Sequence, residues 1–442
     1  MTQGKIKNFE ELNKSDLREK ALLIAEEGLL AIDTNKVISD LVKLENNNLI
    51  IGQEKFNISD FEKIIVIAIG KCAEESAFSL EKILGDHLTG GVSLYVGEKN
   101  INLLKIEGIR GTHPYPSEIN ILGTKKILEK LKDVTEKDLV IFVISGGGST
   151  LLCLPEKGDS SLEAEIFGIL TKQGANIIEL NTLRKHLSLA RGGFLAKYAY
   201  PAKVVSLIFS DVLGDNLGFI SSGPTIKDET TIEDAYKIIE KYHLAEFINL
   251  ENISLIETPK EDKYFENNLN ILAVSNETAL AAMAKKAKEL GFNPIIKERH
   301  ISGEAREVGI KILYELRESP PNTVLLYGGE TTVTIKGHGR GGRNLEMALA
   351  VSFSVLENEL VLPFDSDGRD NGDYAGAIAD FITRKAVEEN IVEAKIYLEN
   401  NNEYPFFEKF GNYLYTGDTG SNISDLIIAI KKWKNLYYHL KK

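Results

Sequence analysis

Short runs of β-branched and other apolar residues alternate along this chain with stretches of helical periodicity, and this alternation limits the fold more than any other feature. Strand candidates such as Ile64–Ile69 and Val204–Phe209 stand among helix candidates such as Cys72–Leu84. Runs that are apolar throughout predict strands buried on both faces, which is typical of parallel sheets covered by helices. We therefore expect an α/β layer fold with mainly parallel sheets.

The same patterns predict further elements of both kinds. Apolar stripes at helical spacing predict two amphipathic helices, at residues 15–32 and Asn35–Leu44, before the first strand. The other strand candidates are Val92–Val96, Leu139–Ile144, Leu269–Val274, Asn293–Ile296, Thr323–Tyr327, Thr332–Lys336 and Glu359–Phe364. The other helix candidates are Glu118–Leu131, Leu162–Gln173, Glu277–Leu290, Glu304–Leu316, Asn344–Ala350 and Asp425–Ile430.

The length of the chain predicts two domains. With 442 residues it is too long for one ordinary hydrophobic core. Residues 245–270 interrupt the alternation with Pro259, several acids and a polar run, which is typical of a connector. We predict a Rossmann-like α/β domain at residues 1–245 and a second α/β domain at residues 246–442.

The charge balance excludes some classes of partner. A net charge of -13 disfavours binding to nucleic acid or to an anionic membrane, because both need a basic surface. Small-molecule substrates remain, and an anionic one would need a local basic pocket. The chain has no apolar run long enough to span a membrane, and its two cysteines lack metal-ligand spacing. We therefore expect a reduced, cytoplasmic protein, and a homo-oligomer is compatible with the sequence.

One stretch, Gly337–Arg343, combines four glycines with two arginines between a strand candidate and a helix candidate. Backbone N–H groups at a helix start attract anions, and Arg340 and Arg343 add fixed positive charge. The same stretch matches the dinucleotide pattern G-x-G-x-x-G, and Asp365 ends the next strand candidate, where that pattern expects an acid. It therefore predicts either a phosphate site or a nicotinamide cofactor site.

Two other loops that follow apolar strands favour phosphate binding. Ser145-Gly146-Gly147-Gly148-Ser149 comes directly after a strand candidate, and its glycines would form a backbone nest for an ATP phosphate with hydroxyl donors beside them. Lys71 follows Gly70 at the end of another strand and would bring positive charge to the site. A flexible linker and a surface lysine are the alternatives for these two loops.

Further candidates lie at other strand ends and on a basic segment. Asp211 ends an apolar strand, where a carboxylate can hold Mg²⁺ or accept the proton of a substrate hydroxyl. Arg184 and Lys185 would contact a substrate carboxylate or phosphate, and Arg340 belongs to the same group of substrate-binding candidates. A turn aspartate and an ordinary basic helix face are the alternatives.

The combination of loops separates three classes of function. A phosphotransferase needs phosphate cradles, cations and an acid that serves as metal ligand or base, and the sequence supplies all of these. An NAD(P)-dependent reductase of a small hydroxy or keto acid is the alternative, but it would leave the other loops without a role. A non-catalytic sensor of sugar acids is the third class, and no sequence feature supports it. We favour the phosphotransferase.

Ten motifs along the chain, taken in order, are Gly70-Lys71, Thr112-His113-Pro114-Tyr115-Pro116, Ser145–Leu152, Leu183–Ser188, Arg191-Gly192-Gly193, Ser210–Asp215, Ser222–Thr225, Gly328–Thr332, Gly339–Glu346 and Thr416–Asp425. In this order they resemble the motifs of glycerate 2-kinases of the MOFRL type. Three places depart from the usual motifs: Leu345 stands where glutamine is common, Asp365-Ser366 where Gly-Thr is common, and Asp418 where proline is common. These departures concern substrate detail rather than the class of reaction.

The resemblance implies phosphorylation of D-glycerate at O2 by ATP with Mg²⁺, which gives 2-phosphoglycerate and ADP. It implies two α/β domains, the second of MOFRL type, with the active site in the cleft between them. Lys71 and Arg343 would stabilise the transferred phosphoryl group from opposite domains, and Asp211 would assist the O2 hydroxyl or hold Mg²⁺. Hydroxypyruvate reductase, a label also associated with the family, is the alternative and would use the glycine pattern at Gly337–Gly342.

Overall fold

The computed structural model describes residues 4–97, 101–157, 160–212, 214 and 216–433. The chain divides into two compact units that do not follow sequence order. The central unit consists of Thr34–Val274, and the terminal unit joins Met1–Asp33 to Ser275–Lys442. No helix in the described part of the chain is long and apolar enough to cross a membrane.

Two helices of the terminal unit come first in the chain, α1 (Phe9–Leu12) and α2 (Asp16–Ala31). The side chain of Ser15 caps α2 by accepting a hydrogen bond of 3.2 Å from the backbone N–H of Arg18. The Arg18 guanidinium is fully buried and donates two hydrogen bonds of 2.7 Å to the carboxylate of Asp380. This pair joins positions 362 residues apart, so it ties α2 to the later part of the terminal unit.

The central unit contains a small three-stranded antiparallel sheet, which the sequence did not predict, and a six-stranded sheet. Its strands are β1 (Val42–Glu45), β2 (Asn48–Ile51), β3 (Glu54–Asn57), β4 (Lys63–Gly70), β5 (Gly90–Tyr95), β6 (Ile106–Arg110), β7 (Asp138–Ile144), β8 (Lys203–Phe209) and β9 (Asn268–Val274). Its helices are α3 (Thr34–Leu41), α4 (Ala73–Leu84), α5 (Glu118–Leu131), α6 (Gly148–Leu151), α7 (Ser160–Lys172), α8 (Ile177–His186), α9 (Phe194–Ala199) and α10 (Ile232–Lys241).

The six-stranded sheet is parallel throughout, in the order β6-β5-β4-β7-β8-β9. The chain adds strands outward from β4 on one side and outward from β7 on the other, so the direction of winding reverses between these two strands. Both are apolar and buried along almost their whole length, as parallel strands covered on both faces must be. In open α/β sheets, ligands bind at the carboxyl ends of the strands where the order reverses. The fold therefore points to the loops that follow β4 and β7.

The later part of the terminal unit forms a seven-stranded mixed sheet flanked by helices. β10 pairs with β11 in parallel, whereas β16 lies antiparallel between β11 and β12. The strands are β10 (Asn293–Ile301), β11 (Thr323–Gly329), β12 (Glu359–Asp365), β13 (Gly376–Ala377), β14 (Ala379–Asp380), β15 (Tyr413–Leu414) and β16 (Asp425–Lys431). The helices are α11 (Asn276–Glu289), α12 (Ala305–Glu318), α13 (Arg343–Ser352), α14 (Phe381–Glu389), α15 (Ile391–Glu399) and α16 (Glu403–Phe410).

The predicted α/β class is confirmed, but two predicted elements are wrong. The segment Asp425–Ile430, expected to be helical, is strand β16 in the middle of the second sheet, and this strand makes that sheet mixed rather than mainly parallel. A short apolar run does not distinguish a buried helix from a buried strand by periodicity alone. The predicted strand Thr332–Lys336 is irregular apart from one bridge between Thr332 and Glu304.

The division into units also differs from the predicted boundary between residues 245 and 246. β9 is hydrogen-bonded to β8 as the last strand of the six-stranded sheet, so the central unit extends to Val274. Helix α2 packs against α11, so the first 33 residues belong with the terminal unit. Composition marks a break in secondary structure, whereas the unit boundary is set by which strands and helices pair.

Candidate functional site

Hydrogen bonds tie the loop after β4 to the glycine-rich loop after β7. The hydroxyl of the buried Ser145 donates to the carbonyl of Ile69 at 3.1 Å and accepts from the backbone N–H of Cys72 at 3.2 Å. The backbone N–H of Lys71 donates to the carbonyl of Gly146 at 2.9 Å. Two of the predicted motifs therefore meet at the reversal point of the sheet, and the Ser145 hydroxyl is used to hold them together.

Gly147 faces the open side of this loop. Its φ of +85° lies in the left-handed region, which favours glycine. A Cβ atom at this position would lie 3.6 Å from Cγ of Lys71 and 3.5 Å from Cδ2 of His113. The bare backbone of Gly147 is thus flanked by two basic side chains, an arrangement suited to an anion. His113 belongs to the motif Thr112–Pro116, but its residue type alone predicted no role for it.

The neighbouring glycines make room for the loops that follow β8. The Asp211 carboxylate approaches Gly146, and the Ser221 hydroxyl approaches Gly148, each closer than a side chain on the glycine would allow. Ser221 also donates a hydrogen bond of 2.7 Å to the carbonyl of Ser145. The structure thus brings the predicted Asp211 onto the predicted phosphate loop. Leu213 and Asp215 of the same motif lie outside the described residues.

A turn with left-handed backbone at Ser221–Gly223 packs against this loop. Ser221, Ser222 and Gly223 have successive φ values of +52°, +58° and +59°, and left-handed backbone is costly for serine. The Ser222 hydroxyl lies 3.0 Å from that of Ser149 and donates to the side-chain oxygen of Asn181 at 2.9 Å. Strain of this kind persists where surrounding structure fixes it, often at functional sites. Ser149 is therefore held in place by residues that the sequence analysis did not assign.

The electrostatic environment of this loop is positive. Burial lowers the pKa of His113, and the charges of Lys71 and Arg184 lower it further. Burial also lowers the pKa of Arg184 to about 10, with the charge of Arg191 acting in the same direction. A bound anion would raise the pKa of both groups, because negative charge favours their protonated forms. In a chain with a net charge of -13, this is the local basic site that an anionic ligand requires.

Arg184 lines a cavity of about 340 Å³ that adjoins the loop. Its guanidinium carbon lies 4.4 Å from the ring centroid of Phe167, another lining residue. Across the part of the chain that the structure describes, this guanidinium makes neither a hydrogen bond nor an ion pair. An arginine that is stacked, partly desolvated and unpaired is well suited to a carboxylate or phosphate.

The residues next to Arg184 in the sequence are used by the fold. Lys185 forms a buried ion pair of 2.9 Å with Asp228. Burial alone would raise the pKa of Asp228, but Lys185 and the Thr230 bonds hold it below its usual value. Arg191 is fully buried and donates to Glu163 at 2.7 Å. Of Arg184 and Lys185, both predicted to contact the substrate, only Arg184 lines the cavity.

The glycines at Gly337–Gly342 serve close packing rather than a cofactor turn. Side chains on Gly337, Gly339 or Gly341 would collide with Asn400–Glu403. Residues 330–342 separate β11 from α13, whereas the dinucleotide motif needs a tight turn directly between strand and helix. The doubly wound sheet, where that motif belongs, has Gly70-Lys71 after its first strand instead. The geometry thus removes the structural context on which the reductase interpretation depended.

Arg343, the first residue of α13, is surrounded by acids. It forms ion pairs with Asp365 at 2.7 Å, Asp425 at 2.6 Å and Glu330 at 3.2 Å. Burial raises the pKa of Asp365, and the charges of Asp367 and Asp425 add to this effect while Arg343 opposes it. The positive charge of Arg343 is therefore more than balanced by its neighbours, which the sequence analysis did not foresee.

Arg340 lies on the surface of the same unit. Its guanidinium carbon stacks 3.6 Å from the ring centroid of Tyr404, and it pairs with Asp373 at 3.1 Å while its side chain is 53% exposed. No group of three or more His, Cys, Asp or Glu side chains within the described ranges is arranged to hold a metal ion. A Mg²⁺ ion carried by a nucleotide needs fewer protein ligands than such a group, because phosphate oxygens and water supply the rest.

Comparison with known proteins gives consistent matches to both parts of the chain. Residues 20–255 match a family described as a domain of unknown function, DUF4147, and residues 323–425 match the MOFRL family. The glycerate 2-kinase of Pyrococcus horikoshii is 39% identical over 94% of this chain and 97% of its own length. The crystal structure of glycerate kinase from Thermotoga maritima superposes with a TM-score of 0.84 at 34% identity, covering 94% of this chain and 99% of that one. A protein of Agrobacterium vitis with the provisional name hydroxypyruvate reductase is 33% identical over 82% of this chain and 86% of its own.

The doubly wound sheet and the basic loop cluster at its reversal point are typical of α/β enzymes that bind anionic ligands. The comparisons are more specific, since close relatives cover nearly the whole chain. The chain belongs to the glycerate 2-kinase family, which confirms the resemblance drawn from its motifs.

Proposed function

We propose that this protein transfers the γ-phosphoryl group of ATP to O2 of D-glycerate, giving 2-phosphoglycerate and ADP. The observation that carries the proposal is the meeting of Lys71, His113 and the bare backbone of Gly147 at the reversal point of the parallel sheet. Such a site suits the phosphates of a nucleotide. Membership of the glycerate 2-kinase family supports the choice of acceptor.

The loop Ser145–Ser149 is the proposed cradle for the ATP phosphates. Its members contribute differently, because Ser145 is committed to Ile69 and Cys72, whereas Gly147 faces the basic side chains. Lys71 is the cation we place on the transferred phosphoryl group. Positioning and charge neutralisation supply most of the rate in phosphoryl transfer, so a rigid loop with fixed cations meets the main requirement.

Arg184 is the proposed partner of the glycerate carboxylate. Its lack of any ion pair among the described residues and its place on the cavity wall support this role. Lys185 and Arg340 stay as predicted substrate contacts, but each already pairs with an aspartate. We therefore rank Arg184 first.

Asp211 is the proposed acid of the site. It can accept the proton of the O2 hydroxyl as that oxygen attacks the phosphorus, or it can be one of the few protein oxygens on a Mg²⁺ ion. Its contact with Gly146 on the phosphate loop fits either role. A bound Mg²⁺ ion would supply charge neutralisation to the phosphates.

The reaction itself tests this proposal. Purified protein incubated with ATP, Mg²⁺ and D-glycerate is expected to release ADP, and phosphorus NMR of the product should identify 2-phosphoglycerate rather than the 3-isomer. The matched arm offers hydroxypyruvate with NADH or NADPH. Oxidation of the nicotinamide without any release of ADP would overturn the kinase and restore the reductase.

Substitutions at Lys71 and Arg343 test the catalytic residues. Lys71→Met should lower turnover by about 10²-fold or more, because the transferred charge loses a cation, while thermal stability stays near that of the parent protein. At Arg343 the test uses Arg343→Lys rather than Arg343→Met, because lysine keeps a positive charge beside the buried carboxylates of Asp365 and Asp425. A Lys71→Met enzyme with full turnover would remove this residue from the mechanism.

A further inference from the structure

The cavity beside Arg184 is larger than the acceptor proposed above. Its volume of about 340 Å³ lies in the range of pockets that hold drug-sized ligands. D-glycerate, a three-carbon acid, would fill only part of that space. The cavity lies beside the phosphate loop, since Thr150 and Pro114 line it and directly neighbour Ser149 and His113 in the chain.

The walls of the cavity present side-chain groups rather than free backbone edges. Arg184 and Lys172 supply cations, Thr171 supplies a hydroxyl, and Glu163 supplies a carboxylate that is already paired with Arg191 at 2.7 Å. Much of the wall is helix α7, whose backbone is used in helical hydrogen bonds, and Pro114 has no N–H while its carbonyl accepts from Thr150 at 3.3 Å. These side-chain groups suit a carboxylate that carries a chain of hydroxyls.

Gly168, in the wall of this cavity, has open space where a side chain would stand. It lies in the interior of α7, where glycine costs about 1 kcal/mol relative to alanine. Neither usual reason for glycine applies here, because its φ is not in the left-handed range and no neighbouring atom lies within 4 Å of where its Cβ would be. Since Gly168 lines the cavity, what its missing side chain provides is space inside it.

We propose that the cavity is an acceptor subsite for 2-hydroxy acids longer than three carbons, an inference that rests on the proposed kinase function. The carboxylate binds Arg184, and the hydroxylated tail extends along Gly168 toward Thr171 and Lys172. The chemistry is unchanged: the O2 oxygen forms a bond to the γ-phosphorus, the bond from that phosphorus to the β,γ-bridging oxygen breaks, ADP leaves, and the hydroxyl proton passes to the base. The products are ADP and the 2-phospho derivative of the longer acid.

Steady-state ADP release tests the subsite with D-glycerate, D-erythronate and D-gluconate, which share the same configuration at C2. The parent protein is expected to phosphorylate the four-carbon and six-carbon acids as well as D-glycerate. Gly168→Leu places a branched side chain in the cavity and should raise KM for the longer acids by about tenfold or more, with KM for D-glycerate and ATP nearly unchanged. Gly168→Ala is the matched control, because it adds one methyl group and should keep all three activities.

The possible outcomes distinguish a failure of the proposed subsite from a failure of the proposed kinase function. If D-glycerate is phosphorylated but the longer acids neither react nor compete with it, the subsite is absent and the kinase stands. If Gly168→Leu raises KM for ATP instead, the cavity holds the nucleoside, and the proposal is overturned. If no acceptor releases ADP, the kinase function itself fails. Both variants should melt at or above the parent temperature, since each replaces a glycine inside a helix.

Discussion

At the scale of single residues, two cationic side chains that are adjacent in the sequence have different surroundings in the fold. Lys185 is paired with Asp228 inside the fold, whereas its neighbour Arg184 stacks on Phe167 and faces a cavity without an ionic partner in the described chain. A helix turns by about 100° per residue, so consecutive side chains face different surroundings. The basic run therefore predicted an anion contact, but only the fold decides which of its side chains lines the cavity.

Glu403 is a second residue whose state depends on its surroundings. It is 1% exposed, and in the described structure neither carboxylate oxygen has a hydrogen-bond partner. Burial raises its pKa to about 8; its own backbone N–H and Arg306 oppose the rise, while the charges of Glu346 and Asp370 add to it. The neutral acid is thus the form that the fold favours.

The pH dependence of stability follows from this shift. Glu403 ionises near pH 4.5 in the unfolded chain and near pH 8 in the folded chain. The neutral acid therefore contributes fully to the free energy of unfolding below pH 4.5, and this contribution is lost as the pH rises to 8. Glu403→Gln mimics the neutral acid and does not titrate. The free energy of unfolding of this variant, relative to that of the parent protein, should therefore rise by about 2 kcal/mol from pH 6 to pH 8. Chemical denaturation at both pH values measures this gain. Glu408→Gln, on the exposed face of the same helix, is the control, and an equal gain there would refute the assignment.

At the scale of elements, the loop after β7 combines three glycines with distinct physical causes. Gly146 and Gly148 are required by the close approach of Asp211 and Ser221, whereas Gly147 is required by its positive φ and opens toward Lys71 and His113. The loop is consequently a packed junction of three strand ends rather than a flexible linker. Its rigidity is what a phosphate cradle needs.

Gly147→Ala separates strain from function in this loop. The left-handed φ costs alanine about 1–2 kcal/mol, and the added methyl group stands between the backbone and the basic side chains. Gly291 has nearly the same φ, +84°, with no atom within 4 Å of its Cβ position, so Gly291→Ala pays the same strain elsewhere. We expect a similar loss of stability in both variants but a raised KM for ATP in Gly147→Ala alone. Equal activity in the two variants would argue against the cradle.

At the scale of the whole molecule, the units are assembled from segments that are distant in sequence. The first 33 residues join the unit formed by residues 275–442, and β9 completes a sheet begun more than two hundred positions earlier at Lys63. The Arg18–Asp380 pair is the clearest single contact of this kind, with Asn412 and Thr383 as further partners.

Arg18→Met tests how much the N-terminal segment stabilises its unit. Removing one partner of a buried ion pair leaves Asp380 as an uncompensated buried charge, which typically costs about 3–5 kcal/mol. Lys20→Met, which breaks a more exposed pair with Asp16 on the same helix, should cost less than about 1 kcal/mol. Equilibrium unfolding in urea measures both. Equal small losses would mean that α2 is not anchored by Arg18.

The sequence predicted much of the secondary structure because buried parallel strands leave a strong apolar signal. The strands β4, β7 and β8 were located to within a residue or two, and helix α5 over its full length. It failed at β16, where an equally apolar segment is a strand rather than a helix, and at residues 332–336, which are irregular. Local composition does not report which neighbours an apolar segment will find.

By itself, the sequence determined the α/β class, the glycine-rich loops at strand ends and the family to which their order belongs, because these depend on residue types and spacing along the chain. The tertiary structure decided which sheet is doubly wound, which glycine pattern lacks the turn needed for a dinucleotide, and which of two adjacent cations, Arg184 and Lys185, lines a cavity. It also added His113 to the loop and surrounded Arg343 with carboxylates. These outcomes depend on contacts between residues far apart in the chain, and burial at such contacts decides whether a charge is compensated or left for a ligand.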